Sequence, residues 1–403
     1  MSAHELSFDL DDMIGRLRPW IETESPTFDA VAVNRMVDVA AYDFAAAGAS
    51  VEFIPGRMGF GGSLRARFPH ADQGKPGILV SGHLDTVHPL GVINVNPYRR
   101  EGGKIYGPGI RDMKGGNFVA LEAMRRIARS ELKTKLPVTF LLTPDEEVGT
   151  PSTRDLIENE ALKNKYVLVP EPARRDGGAV VGRYAIARFN LETVGRPSHA
   201  GWLLAEGRSA IRRMAEKIID IEALTSDDCT FSVGVIQAGQ WVNCVSSNCR
   251  AEALSMAKTQ KDLEDGVERI MALAGVKDDV EFIVTRGVTR PPCGKNAQPQ
   301  DMKLFNFAND IAKEIGFTMT AQSSGGGSDG NFTGALGIPT LDSIGVRGDG
   351  LHTLGEHIFE DSLVERARLH AGLFLGLNKA QRVRPWLMRS RIRRGLMPGG
   401  SPV

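Results

Sequence analysis

Three apolar runs of the sequence end in groups that can hold or move a charge. "GILVSGHLDT" places His83 and Asp85 directly behind its run, and "PVTFLLTPDEEVGT" ends in Asp145, Glu146 and Glu147. "YVLVPEP" delivers Glu171, with Pro170 and Pro172 ending the run and fixing the loop. Between them, "YGPGIRDMKGG" sets Asp112 in a glycine-rich loop just ahead of a helical pattern. Carboxylates crowded against a buried segment repel one another and lose hydration, so they either fan out into solvent or hold a cation. Each piece alone has a bland explanation: an acidic pair after a strand is usually a solvated turn, and a lone histidine a structural one. Together they line one crevice with acids, which is unfavourable unless a divalent metal neutralises them. Imidazole and carboxylates without thiolates suit a catalytic zinc, cobalt or manganese site, not a structural four-cysteine one.

The elements that must position these groups follow from hydrophobic periodicity. The first part of the chain alternates helical patterns ("DDMIGRLRPWIE", "VNRMVDVAAYDFAAAG", "GGNFVALEAMRRIARSEL") with short, nearly all-apolar runs. Strands of that kind are covered on both faces, so the expected fold is an α/β domain with a mixed sheet, and ligands gather beyond the carboxyl ends of its strands. From about 183 to 289 the order becomes strand, helix, strand, strand, helix, strand, the split-βαβ, ferredoxin-like unit. In its first helix Ile211, Met214, Ile218 and Ile221 predict one apolar stripe. After a Pro-rich linker, "TRPPCGKNAQPQ", α/β character returns. The expected domains are a discontinuous catalytic unit, 1–182 with 290–380, an inserted α+β domain, 183–289, and a basic C-terminal tail, 381–403. That tail is a peripheral arm or a partly disordered terminus.

The chain has 403 residues, 42% hydrophobic and 24% charged, ordinary for a globular protein. Lysine plus arginine and aspartate plus glutamate balance at 49 each, so no overall field favours nucleic acid or an anionic membrane. No secretory signal pattern opens the chain, no apolar stretch would span a bilayer, and four cysteines show no CxxC spacing. A cytoplasmic enzyme is the expectation.

In order and with fitting gaps, "SGHLDTVHP", "GPGIRDMKGG", "PDEEVGT", "EP", "GRPSHAG", "GGGSDG" and "LHTLGEH" resemble the successive motifs of one family. It is the acetylornithine deacetylase / succinyl-diaminopimelate desuccinylase / glutamate carboxypeptidase family of two-zinc amidohydrolases, and the likeness is strongest to the glutamate carboxypeptidase branch. The resemblance spans about residues 77 to 360. It implies a catalytic α/β domain with an inserted ferredoxin-like dimerisation domain, and two divalent metal ions. Position by position it implies His83 and Glu171 on one metal, Glu147 and His352 on the other, and Asp112 bridging both. Asp85 would orient the His83 imidazole. Glu146 would be the general base, a carboxylate beside the metals taking a proton from water and passing it to the leaving amine. His199 would reach a partner subunit's site and stabilise the oxyanion, with Asn243 serving the same region.

For the substrate, Arg290 is similar to an arginine that grips a terminal carboxylate, though a solvated linker cation reads equally well from the residues. Gly326 and Gly327 would offer backbone N–H groups to an anion, or simply form a flexible turn. The chain departs from the family pattern at Trp202, Leu203 and Ala205, after Asn243 where proline is usual, and at "LSMAK" where an acidic–arginine pair is common. These departures sit near the lid and bear on the substrate. The expected activity is hydrolysis of an amide bond in an N-acyl or N-aroyl amino acid or a dipeptide. Hydrolysis of another C–N bond, such as an aryl amine, is the close variant, and a non-enzymatic binding protein that kept the fold is the contrasting class.

Overall fold

The computed structural model describes residues 6–294 and 299–378; the tail 381–403 lies outside them. The runs that ended in acids become neighbouring strands of an eight-stranded sheet. Its order is Ser50–Ile54, Ser63–Arg67, Val138–Thr143, Ile78–His83, Tyr166–Val169, Thr340–Asp342, Ala179–Arg183, Ala321–Ser324. Val138–Thr143, Ile78–His83, Tyr166–Val169 and Thr340–Asp342 run parallel, while Ser63–Arg67 and Ser50–Ile54 add an antiparallel edge. The sheet is therefore mixed.

All-apolar strands are explained by what lies on each side. Along Val138–Thr143, Val138, Phe140 and Leu142 enter the main core, whereas Leu141 points to the opposite face with Leu79, Val167 and Val169. Helices Leu10–Glu22, Ala30–Ala46, Gly115–Ala128 and Glu360–Gly376 supply residues to the first face; Arg154–Ala161 covers the second with Ile157 and Ala161. Alternate side chains of a strand leave on opposite faces, so burial on both requires apolar residues throughout. Gly116 lets the helix after Asp112 approach the Glu171 loop: a Cβ there would fall 1.8 Å from the Pro170 carbonyl oxygen.

Between Ala179–Arg183 and Ala321–Ser324 the chain builds a separate antiparallel sheet. The order is Cys229–Ala238, Asn248–Ala257, Ala185–Val194, Val280–Arg290, with a short Gly275–Lys277 strand at the edge. Helices Ala210–Glu222 and Gln260–Met271 pack Met214, Ile221, Leu263 and Ile270 onto it. That is the strand order of the split-βαβ unit. Its first helix buries Ala210, Met214, Lys217 and Ile221, while Ile211 is 43% exposed. The helix begins at Ala210, so the 3.6-residue repeat carries the stripe through Ala210 and leaves Ile211 beside it. Two boundaries also shift: Val280–Arg290 runs one residue past 289, and Pro299 opens the helix Pro299–Ile315 instead of lying in the linker, a first-turn position where its missing N–H costs nothing.

The main core centres on Phe140, whose ring lies 4.8 Å from Phe44, 6.0 Å from Phe68 and 6.2 Å from Phe374. Phe140→Ala should lower stability by about 3–5 kcal/mol, read as a fall in the urea midpoint with unchanged slope. A loss below about 1 kcal/mol would mean that this cluster is not packed as described.

Candidate functional site

His83 closes its strand in register with Thr143, so the turn Glu146–Val148 begins just beyond it. Glu171 follows the strand on the other side, Tyr166–Val169. Adjacent parallel strands thus deliver His83, Glu146, Glu147 and Glu171 to one sheet edge. Asp112 arrives from the loop before helix Gly115–Ala128, and its peptide bond to Met113 is cis. His352 comes from a late turn in which its own backbone sits at φ +59°, a left-handed conformation uncommon for a side chain of this size.

Asp112 stands between two imidazoles. Its Oδ1 is 3.2 Å from His83 Nε2 and its Oδ2 3.2 Å from His352 Nε2. Glu147 Oε2 lies 3.4 Å from His352 Nε2, and Glu171 Oε1 lies 3.8 Å from His83 Nε2. Ligand atoms of His83, Asp112 and Glu147 gather closely enough for one ion, as do those of His83, Glu146 and Glu171. Asp85 is fully buried: its carboxylate sits 3.3 Å from His83 Nδ1 and accepts the backbone N–H groups of Glu146 and Glu147, each at 3.2 Å, and the Thr27 hydroxyl at 2.7 Å. The Asp85 backbone oxygen lies nearer still to His83 Nδ1, at 2.9 Å, so one residue holds the histidine by its carbonyl and carboxylate and both glutamates by its carboxylate.

The electrostatics are those of an over-acidic cavity. Burial and the nearby Asp112 carboxylate push Glu147 up to about 8, and burial followed by Asp112 raises Glu171 well above the usual carboxylate range. Burial would raise Asp112 too, but hydrogen bonds to His352 and His83 hold it below its ordinary value. Hydrogen bonds to Asp112 and Glu147 lift His352 to about 10. Glu147 Oε1 is buried with no hydrogen-bond partner. An orphaned carboxylate oxygen among carboxylate and imidazole ligand atoms fits a divalent cation.

The remaining expected residues fall into two groups. Arg290 is buried, so it is not a solvated linker cation: it ends a strand, and its guanidinium donates to Glu146 Oε1 at 2.6 Å, Glu146 O at 2.7 Å and Thr150 Oγ1 at 3.1 Å. Gly327 packs against it, a Cβ there falling 3.0 Å from Arg290 Cδ. The Gly326 N–H is directed to Ser324 Oγ, and the carbonyls of Gly326 and Gly327 accept from Arg183. This turn therefore presents less free N–H than expected. His199 and Asn243 belong to the second group. His199 pairs with Cys244 in the two-stranded ladder of Ser198–His199 and Cys244–Val245, the Asn243 carbonyl accepts the Ala200 N–H beside it, and the polar contacts of both residues lie within the inserted unit.

Asp145, to which the sequence assigns no role, is fully buried, accepting the Ser152 N–H at 2.6 Å and the Thr153 hydroxyl. Thr150 was also missed; it bonds both Arg290 and, at 2.7 Å, Asp329 Oδ1. A hydroxyl inside "EEVGT" carries no sequence signal that separates it from an ordinary turn residue.

Comparison with known proteins agrees with this geometry. A family model described as "Peptidase family M20/M25/M40" matches residues 79–375. The chain belongs to that family. It is 30% identical to carboxypeptidase G2 of a Pseudomonas species, over 76% of this chain and 75% of the relative. It is 26% identical to a succinyl-diaminopimelate desuccinylase of Acinetobacter baylyi, over 70% of this chain and 79% of the relative. In fold it is similar to the aminopeptidase PepT of Bacillus cereus, with a TM-score of 0.70 at 23% identity, covering 91% of this chain and 98% of that one. Membership of M20/M25/M40 makes the protein a metallopeptidase or amidohydrolase acting on peptide-like substrates, and enzymes of this family use a dinuclear divalent metal site.

Without metal, Glu147 and His352 hold protons that the unfolded chain, with ordinary values of 4.5 and 6.5, has released by neutral pH. The folded state then binds more protons than the unfolded one, so stability falls as pH rises. The melting temperature of metal-stripped protein should drop between pH 6.5 and 8, and added zinc should restore more at pH 8 than at 6.5, because zinc takes the place of those protons. A metal-free melting temperature that rises across this window would contradict the assignment.

Proposed function

We propose that this M20 enzyme hydrolyses the amide bond of an N-acyl or N-aroyl amino acid or of a dipeptide, using two divalent cations, zinc above all with cobalt and manganese as alternatives. The observation that carries this is the placement of Asp112, one carboxylate oxygen toward His83 and the other toward His352, with Glu147 and Glu171 flanking the two imidazoles. His83 and Glu171 would hold one ion, Glu147 and His352 the other, and Asp112 both. Cations bound there would supply Lewis-acid polarisation of the scissile carbonyl and make water more acidic.

The chain's own residues would do the rest. Asp85 fixes the His83 ring and, through two backbone N–H groups, the direction in which Glu146 and Glu147 leave the turn. Glu147 is thereby aimed at the ligands while Glu146 remains to take a proton from water and return it to the leaving amine. Arg290 now neutralises Glu146. A substrate carboxylate could take over that guanidinium bidentately, gripping the substrate and releasing the base in one exchange.

His199 Nδ1 accepts the N–H groups of Gly201 and Trp202, so a neutral ring carries its proton on Nε2, free to donate to an oxyanion. Exposed Trp202, Leu204, Ile236, Trp241 and Val242, together with the edge strand Cys229–Ala238, support a homodimer joined through residues 183–289, with His199 and Asn243 serving the partner's site. No helix among the described residues is long and apolar enough to cross a membrane, and a cytoplasmic setting is part of this proposal. The likeness to carboxypeptidase G2 favours a C-terminal amino acid as the released product.

Glu146→Gln should keep wild-type metal content and lose about 10²–10⁴-fold in turnover, measured on N-acyl-glutamate, N-acyl-aspartate and aromatic amino acid amides. Wild-type turnover in that variant would overturn the assignment of the base.

A further inference from the structure

Glu356 has no part in the chemistry above, yet it is one of the most completely buried carboxylates in the chain. It lies four residues beyond His352, just before the strand His357–Phe359. Its Oε1 accepts the N–H of Arg111 at 2.8 Å and of Asp112 itself at 3.1 Å; its Oε2 accepts the N–H of Gly109 at 2.9 Å. The fourth partner is His88 Nε2, 2.6 Å from Oε2 and also buried. His88 stands three residues past Asp85, on the segment that carries His83.

These contacts tie together the three separate segments that carry His83, Asp112 and His352. The small sheet nearby reinforces the link, pairing His357 with Tyr106 and Ile358 with Ile105 immediately ahead of the Asp112 loop. A buried carboxylate is expensive unless its oxygens are satisfied. Here three backbone N–H groups and an imidazole satisfy them, and three of the four belong to the loop Gly109–Asp112. Glu356 Oε1 engages the N–H of the residue whose carboxylate faces both histidines, so displacing Glu356 would tilt Asp112 about its own backbone. Lys114, buried two residues past that loop with Nζ 2.8 Å from Thr23 O, anchors the chain where the loop enters helix Gly115–Ala128.

We infer that Glu356 and His88 form a positioning pair for the metal centre, fixing the Asp112 loop so that its carboxylate stands midway between His83 and His352. The inference rests on the reading of Asp112 as the ligand shared by two cations. It makes these two residues part of the metal site's construction although neither touches a metal or the substrate.

The test is a cobalt titration of metal-stripped full-length protein, read by chelator competition and by the visible bands of bound Co²⁺. Circular dichroism and melting temperature of the metal-free samples serve as the control for folding. Glu356→Gln and His88→Ala should each bind Co²⁺ about 10- to 100-fold more weakly, with altered band positions, in protein whose metal-free circular dichroism is that of wild type. Glu356→Ala should show a larger effect; should it fail to fold, the other two variants decide. Wild-type affinity and wild-type bands in both Glu356→Gln and His88→Ala would overturn the inference. Asp112→Asn separates the two levels. If it keeps two-ion binding at wild-type affinity, the shared-ligand reading falls. If it loses that binding while the Glu356 and His88 variants do not, only the positioning role falls.

Discussion

Asp112, Glu146, Glu147 and Glu171 converge on one crevice, and burying so many like charges together costs more than any hydrogen bond in their neighbourhood returns. The chain answers that cost in several ways at once. Arg290 neutralises Glu146, two imidazoles flank Asp112, and Glu147 and Glu171 are driven toward holding protons. The balance is still incomplete, because Glu147 Oε1 remains buried without a partner. A dinuclear cation site closes it, and much of the surrounding structure is arranged to keep these groups where a cation needs them.

That arrangement is built from rigid parts. Parallel strands cannot be shifted by one residue without turning their buried side chains to the wrong face. His83 and the turn after Thr143 are therefore held in register by the apolar core beneath them. Asp85 converts this register into side-chain directions by gripping both glutamates through their backbone. The second sheet reaches the same place through two of its strands: Arg290 contacts Glu146, and Arg188 donates to the Glu147 carbonyl at 3.1 Å. The two sheets thus share hydrogen bonds at Glu146 and Glu147, the residues proposed for proton transfer and metal binding.

Much of this was legible in the sequence because the signals were periodic or chemically rare. All-apolar runs ending in His83, Glu147 and Glu171 marked both the sheet and the end of it where these side chains meet, and the helix–strand order between 183 and 289 marked the second sheet. What stayed hidden depended on contacts between distant segments. Asp145 looked like a third surplus acid, since nothing local announces that Ser152 and Thr153 cap it. Arg290 sits before two prolines, so the residues alone left a carboxylate-gripping arginine and a linker cation equally open, and only the strand that runs up to it shows it buried. The edge strands Ser50–Ile54 and Ser63–Arg67 went unread: the first is largely exposed and both carry charged residues, so neither gives an apolar run. Glu356 lies within a motif noticed for His352, and only the fold brings it beneath the Asp112 loop.

The central claim is that Asp112 is shared by two cations. Anomalous diffraction from crystals grown with zinc, collected on both sides of the zinc absorption edge, tests it directly. The account predicts two zinc peaks per chain about 3.5–4 Å apart, with Asp112 between them, one beside His83 and Glu171 and the other beside Glu147 and His352. A single peak in fully zinc-loaded crystals, or two peaks that do not share Asp112, would contradict it.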